Sequence, residues 1–307
     1  MAFLYWLEDL RIPGLNELML AVTRLGEETA FLALALIFFW CVDKRRGYYI
    51  MGVGFLGIMA NQFLKLWFRI PRPWIKDPNF TILEQARNAA SGYSFPSGHT
   101  QTAVGTFGTI AASSPGKWVR VICIVLAAMV SFSRMYIGVH TPMDVAVSIL
   151  IAVFLVCVLR PLILNGSPKA MKLFLAGMIT MAIGLLLFVE LYPFPADVDS
   201  HNLESGMKNA YTMLGSLVGV AVVYAADERK LRFSEKAPVL GQICKVVLGL
   251  ALVLAVKEGL RAPLNALFSG HMAARSVRYF VIVITAGILW PLTFRFWGRI
   301  GKKEKEA

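Results

Sequence analysis

Charge is scarce in this sequence. Only 16% of its 307 residues are Asp, Glu, Lys or Arg, while 57% are hydrophobic. Soluble domains carry about 25% charged residues, so a soluble fold is not expected. The N-terminus, Met1 to Asp9, lacks a basic stretch and already carries Glu8 and Asp9, so no cleavable signal peptide is expected. Cysteine is sparse as well. Cys41, Cys123, Cys157 and Cys244 fall singly in apolar stretches, with no C-x-x-C pair. They read as packing residues, and no zinc site is expected.

Long apolar runs are what the sequence has. Nine lie near the length needed to cross a bilayer, roughly 28–42, 47–68, 98–114, 118–138, 142–160, 171–192, 207–226, 240–260 and 276–297. The fold class is therefore all-α, a polytopic transmembrane helical bundle. The net charge of +12 raises the question of nucleic acid. Its distribution argues against that partner. Basic clusters at Lys44–Arg46, Lys117/Arg120, Arg160/Lys169/Lys172, Arg229–Lys236 and Arg295–Lys305 fall in every second loop. That alternation follows the positive-inside rule, with a cytoplasmic C-terminus and an outer N-terminus. The partner is the lipid bilayer, and in a bacterium the cytoplasmic membrane.

Residues 1–27 are amphipathic, with Glu8, Asp9, Arg11, Glu17 and Arg24 interrupting Leu, Trp and Met. An interfacial helix fits this pattern, and a tenth, weakly apolar span is the alternative. The stretch from Arg69 to Phe95 holds Pro71, Pro73, Pro78 and Gly92 and reads as an irregular loop.

Three short segments at the ends of spans carry chemistry, and all fall on the extracytoplasmic side. In the first, Lys65 precedes Arg72-Pro73 by seven residues. If the helix continues to Pro71, Lys65 and Arg72 share a face, two turns apart. Arg offers a fork to phosphate oxygens and Lys a point charge. The second is Pro96-Ser97-Gly98-His99. Pro and Ser before an apolar run signal a helix start, whose free amides favour an anion. Gly98 permits close backbone approach, and His99 sits where it can donate a proton. A plain N-cap with an interfacial histidine is the structural alternative. The third is Ser133-Arg134, His140 and Asp144. Thr141-Pro142 reads as N-cap and first residue of a helix, which puts Asp144 at the capping-box position. Asp144 can also lie against one nitrogen of His140, fixing its tautomer and leaving the other free. Arg134 follows a long apolar run, and a cation there marks function or snorkels to the surface.

The spacings K-x6-RP, PSGH and SR-x5-H-x3-D resemble the three signatures of the type 2 phosphatidic acid phosphatase (PAP2) superfamily. All three match without substitution and in order. The resemblance implies hydrolysis through a phosphohistidine, without metal or cofactor. It makes His140 the nucleophile, Asp144 its orienter and His99 the general acid. It makes Lys65, Arg72, Arg134, Ser97 and Gly98 the phosphate-binding set. It also implies a catalytic core of about six helices over 28–165, so that 166–307 adds about four more transmembrane helices. That extension is expected to shape the lipid pocket or a homo-oligomer contact. Glu190 there is a candidate partner for one of the nearby bases Lys257, Arg261, Arg275 or Arg278.

The expected function is an integral membrane phosphatase acting on a lipid phosphate or diphosphate. Candidates are a polyprenyl diphosphate such as undecaprenyl diphosphate, phosphatidic acid and phosphatidylglycerophosphate. A phosphotransferase using a lipid or sugar acceptor, and a transporter with a vestigial site, are the alternatives.

Overall fold

A computed structural model describes residues 1–87, 90, 92–196 and 198–300. Among these residues the regular structure is helical throughout, and no strand occurs. In chain order the α-helices are α1 (Ala2–Asp9), α2 (Pro13–Thr23), α3 (Glu28–Ile37), α4 (Lys44–Phe68), α5 (Pro73–Lys76), α6 (Gly98–Ser113) and α7 (Lys117–Tyr136). They continue as α8 (Pro142–Leu164), α9 (Pro168–Leu191), α10 (Ser200–Ala226), α11 (Val239–Gly259), α12 (Arg261–Leu267), α13 (Ala273–Ile284) and α14 (Phe294–Trp297).

Among the described residues seven helices are long and apolar enough to cross a membrane. An eighth crossing arises if Pro13–Gly26 and Glu28–Val42, bent by 54°, act as one span. Two of the nine expected spans therefore differ from expectation. Glu28–Val42 reaches membrane length only together with the stretch before it. The other, α6, has 16 residues. At 1.5 Å per residue it is about 24 Å long, short of a hydrocarbon layer of about 30 Å. Ten of those residues are buried, four of them threonines. It is an interior helix, so the protein around it supplies the apolar surroundings. Two of its hydroxyls bond back to its own turns, Thr109 Oγ1 to Thr106 O and Ser113 Oγ to Thr109 O, each at 2.7 Å.

The chain divides into two compact units. One gathers Met1–Leu34, Tyr49–Asn165 and Tyr192–Gly206. In it α6 packs against α7 and α8, and α2 packs against α7. The N-terminal segment is built into this unit. Leu4, Leu7 and Met19 are buried in one cluster with Phe80, Ile82, Tyr136, Ile137 and Val139. Gly26 brings the chain close to α6, since a Cβ there would lie 2.8 Å from both His99 O and Val130 Cγ1.

The other unit gathers Ala35–Tyr48, Gly166–Leu191 and the chain from Met207 onward. Its centre is Lys245, fully buried, whose ammonium donates to the carbonyls of Trp40, Ser234 and Glu235 at 2.9–3.3 Å. The Phe294 ring lies 4.4 Å from the same nitrogen. A buried ammonium is tolerated because each of its donors has an acceptor. Glu190 accepts a hydrogen bond from the Tyr211 hydroxyl in this unit.

Candidate active site

The three motif segments converge in the first unit. His140 sits in the turn between α7 and α8. That turn closes because Val139 N and His140 N both donate to Arg134 O, at 3.2 and 3.3 Å. It requires Gly138, whose φ is +92°. A Cβ at Gly138 would also meet Arg11 Nη2 at 2.7 Å and the Phe80 ring at 3.1 Å. Arg11 braces the turn from outside, its Nε donating to Tyr136 O at 3.0 Å and its Nη1 to Thr81 O at 3.0 Å.

Asp144 opens α8 in a full capping box. Thr141 N donates to Asp144 Oδ2 at 2.7 Å, and Asp144 N donates to Thr141 Oγ1 at 3.3 Å. The same Oδ2 lies 3.5 Å from His140 Nδ1. The capping role and the histidine-facing role thus coexist in one carboxylate. A third group joins them, because Ser94 Oγ donates to Asp144 Oδ2 at 2.5 Å. Ser94 was not a candidate from the sequence. It lies in the irregular loop, where no periodicity or motif singles it out.

Arg72 reaches His140 from the other side. The condition for Lys65 and Arg72 to share a helical face, continuation of α4 to Pro71, is not met. The helix ends at Phe68, and Arg69 takes the left-handed conformation with φ of +49°. The proline at 71 bars helical geometry at Ile70. Arg72 therefore enters from the loop as the N-cap of α5, not along a shared helical face. Its Nε donates to Gly92 O at 2.9 Å. Its Nη1 donates to Val139 O at 2.9 Å and lies 2.9 Å from His140 Nε2. A guanidinium has no acceptor, so that last contact makes Nε2 the acceptor. The ring proton then sits on Nδ1, facing Asp144.

Lys65, half-buried near the end of α4, donates its ammonium to Tyr93 O. Arg134, at the end of α7, donates Nη1 to Thr23 Oγ1 at 2.7 Å, while its buried Nε has no hydrogen-bond partner among the described residues. Thr23 is a further residue that sequence reasoning missed. It comes from the N-terminal segment, far from every motif. Arg72, Arg134, His140 and Asp144 are each only 2–4% exposed. Asp144 acts electrostatically on Lys65 and Arg72, and Glu27 on Arg134, so two carboxylates stand among three buried or half-buried cations, and an anion would add to that balance.

Ser97 N-caps α6. Its hydroxyl donates to Thr100 Oγ1 at 3.0 Å and accepts from Thr100 N at 3.4 Å. Its own amide donates to Asp144 O at 3.2 Å, tying the second segment to the third. The Ser97 side chain is therefore engaged in the cap. The amides of Gly98 and His99, at the first two helical positions, have no intrahelical acceptor. The half-buried His99 ring lies within electrostatic reach of Arg134, Arg72 and Lys65. Among the described residues no cluster of three or more His, Cys, Asp or Glu could hold a metal ion.

Burial, then Arg72, Arg134 and Lys65, and last His99, hold the pKa of His140 well below its ordinary 6.5. At neutral pH the imidazole is uncharged, with its lone pair on Nε2.

The PAP2 superfamily matches residues 46–166, which hold all three segments. A second family, described as PAP2 superfamily phosphatase, transmembrane extension, matches residues 211–302. The chain belongs to the PAP2 superfamily and is an integral membrane protein. Phosphatidylglycerophosphatase B of Bacillus subtilis is 32% identical over 149 residues, 44% of this chain and 69% of that protein. A probable sphingosine-1-phosphate phosphatase of Dictyostelium discoideum is 30% identical over 181 residues, 54% of this chain and 41% of that protein. Undecaprenyl-diphosphatase of Sulfolobus acidocaldarius is 28% identical over 137 residues, 44% of this chain and 64% of that protein. The chain thus spans between two fifths and about two thirds of the length of these relatives. No solved structure matches it.

Proposed function

We propose that this protein is a membrane phosphatase that hydrolyses a lipid phosphate or diphosphate through a phosphohistidine at His140. The observation that carries the reading is the setting of one imidazole. Its Nε2 lies 2.9 Å from Arg72, its Nδ1 lies 3.5 Å from Asp144, and Lys65 and Arg134 flank it. A neutral nitrogen nucleophile among fixed cations suits attack on a phosphorus whose oxygens carry negative charge. The names of the relatives support the same class, since each denotes a phosphatase of a lipid phosphate.

In the first step His140 Nε2 forms a bond to phosphorus as the bond to the lipid oxygen breaks. Burial, then Arg134, Arg72 and Lys65, lower the His99 pKa to about 2, so His99 gains its proton only once the bound phosphate offsets those cations, and it then gives that proton to the departing oxygen. Asp144 stabilises the imidazolium side of the phosphohistidine through Nδ1–H. In the second step water attacks the phosphorus, His99 takes its proton, and the P–N bond returns its electrons to Nε2. Lys65, Arg72, Arg134 and the Gly98 and His99 amides offset charge on the equatorial oxygens. Phosphatidic acid, phosphatidylglycerophosphate and undecaprenyl diphosphate are the substrates in view. The site faces the extracytoplasmic side. The support is that basic clusters mark the opposite ends of α4, α7 and α8 from those bearing the motifs.

The test is phosphate release from those lipids in mixed micelles by the purified full-length protein. One lipid at least is expected to yield free phosphate, with orthovanadate inhibiting and chelators leaving the rate unchanged. Transfer of the phosphoryl group to an added alcohol in place of water would instead identify a phosphotransferase. Release from none of the lipids would overturn the reading.

The pH profile is a second prediction. Because the pKa of His140 is lowered, its proton is lost well below pH 6.5, and the base form persists into the acid range. The acid limb of kcat/KM, which reports the free enzyme, is expected below pH 6.5. A limb at or above neutrality would show that a charged His140 is the resting form.

A further inference from the structure

The segment Tyr192–Gly206 runs from the end of α9 into the first two turns of α10. It lies between the stretches matched by the two families, yet it belongs to the same compact unit as the catalytic residues. It meets the rest of that unit at two places, the Gly92–Tyr93 turn and the end of α4. Asp199 N donates to the Tyr93 hydroxyl at 3.3 Å. Asn202 Oδ1 lies 3.0 Å from where a Cβ on Gly92 would stand, and Gly92 has φ of +86°. No other residue type fits that turn without strain. Further along, Gly206 brings the start of α10 onto α4. A Cβ there would lie 2.6 Å from Leu66 Cδ1 and 3.1 Å from Gln62 Nε2. The rings of Tyr192 and Trp67 meet at 6.0 Å, and those of Tyr192 and Phe194 at 5.0 Å.

Asp199 is itself held. Its Oδ1 accepts from Asn202 N at 2.8 Å, which caps the start of α10. The N–H presented to Tyr93 thus comes from a fixed helix terminus.

The turn so held is the one on which two catalytic cations rest. Arg72 Nε donates to Gly92 O at 2.9 Å, and Lys65 Nζ donates to Tyr93 O. On one side the turn is anchored by Ser94 N donating to Ile70 O at 2.8 Å. On the other, the Asp199–Tyr93 bond supplies an anchor from a part of the chain about a hundred residues later.

We propose that Tyr192–Gly206 is a strap that fixes the Gly92–Tyr93 turn, with Tyr93 and Asp199 as positioning residues for Lys65 and Arg72. The proposal rests on the phosphatase reading, because its consequence is a better-aimed grip on a phosphoryl group. It also gives part of the C-terminal half a role in the site. Neither residue touches the substrate. Each acts through backbone carbonyls that orient the cations. When the strap is loosened, the carbonyls move, the cations follow them, and affinity for a phosphate-like anion falls.

The probe is orthovanadate, whose Kd is read by thermal shift on the full-length protein in detergent, alongside the unfolding temperature without vanadate. Tyr93→Phe removes the hydroxyl and keeps the carbonyl. Asp199→Ala removes the cap, while Asp199→Asn retains it. Tyr93→Phe and Asp199→Ala are expected to raise the Kd roughly threefold to tenfold, the scale of one hydrogen bond. Asp199→Asn is expected to keep the wild-type Kd. The double variant Tyr93→Phe/Asp199→Ala is expected to be no weaker than the poorer single one, because both break one link. If both single variants fold, even at a lower unfolding temperature, and keep the wild-type Kd, the strap is merely structural and the proposal falls. If the wild-type protein itself binds no vanadate, the phosphatase reading falls and takes the strap with it.

Discussion

The His140→Ala variant is expected to release phosphate about 10⁴-fold more slowly than wild type, or more slowly still, and to form no phosphoenzyme. Removal of a nucleophile leaves only what the clamp can do for water. The fold is expected to survive, because the turn is closed by backbone bonds to Arg134 O that need no imidazole. Arg72 also keeps two carbonyl acceptors, Gly92 O and Val139 O. The buried ring leaves a cavity, so His140→Gln serves as the better-filled companion. Acid-labile, alkali-stable label from a radiolabelled lipid phosphate should appear in wild type under rapid quench and in neither variant. Turnover within tenfold of wild type by either one would move the nucleophile elsewhere, with His99 the next candidate.

The chemistry of this protein was legible where it depends on short spacings. Six residues lie between Lys65 and Arg72, and three between His140 and Asp144. Such spacings survive without knowledge of the fold. The capping box at Thr141 and the helix start at Ser97 were equally readable, because caps are local. What the sequence hid are contacts made over long separations by residues of ordinary type. Ser94 meets Asp144 50 residues away, and Thr23 meets Arg134 111 residues away. Neither serine nor threonine in a loop or at a helix end is unusual. The carbonyls of Gly92, Tyr93 and Val139 carry no side-chain signal at all.

The membrane spans show the same division. Helices that face lipid, such as α8 and α9, are almost wholly apolar and were found with good limits. The limits of the threonine-rich α6 were found to within a residue, but its apolar surroundings come from its neighbours, so the sequence did not show that it is too short for a span. The end of α4 at Phe68 and the loop from Arg69 were legible too. The positive φ at Arg69 was not, since it is uncommon at a non-glycine residue and arginine gives no warning of it. That turn decides how Arg72 approaches His140.

The manner of that approach makes Arg72→Lys the sharpest test of the clamp. The substitution keeps the positive charge and is expected to lower kcat/KM by about 10²–10³-fold. The guanidinium spans two parts of the chain at once, Nε on Gly92 O and Nη1 on both Val139 O and His140 Nε2. An ammonium is a point charge and cannot hold one loop with one nitrogen while offering another to the site. With the nucleophile free to attack, Nη1 must leave Nε2 and turn to a phosphoryl oxygen. Nε can stay on Gly92 O throughout, so the arginine need not be repositioned during the reaction. A lysine at position 72 has to leave its carbonyl to reach the phosphate, and its position then depends on the substrate. Retention of kcat/KM within about threefold would mean that charge alone suffices at position 72. The two-armed contact would then be a feature of the resting site and not of catalysis.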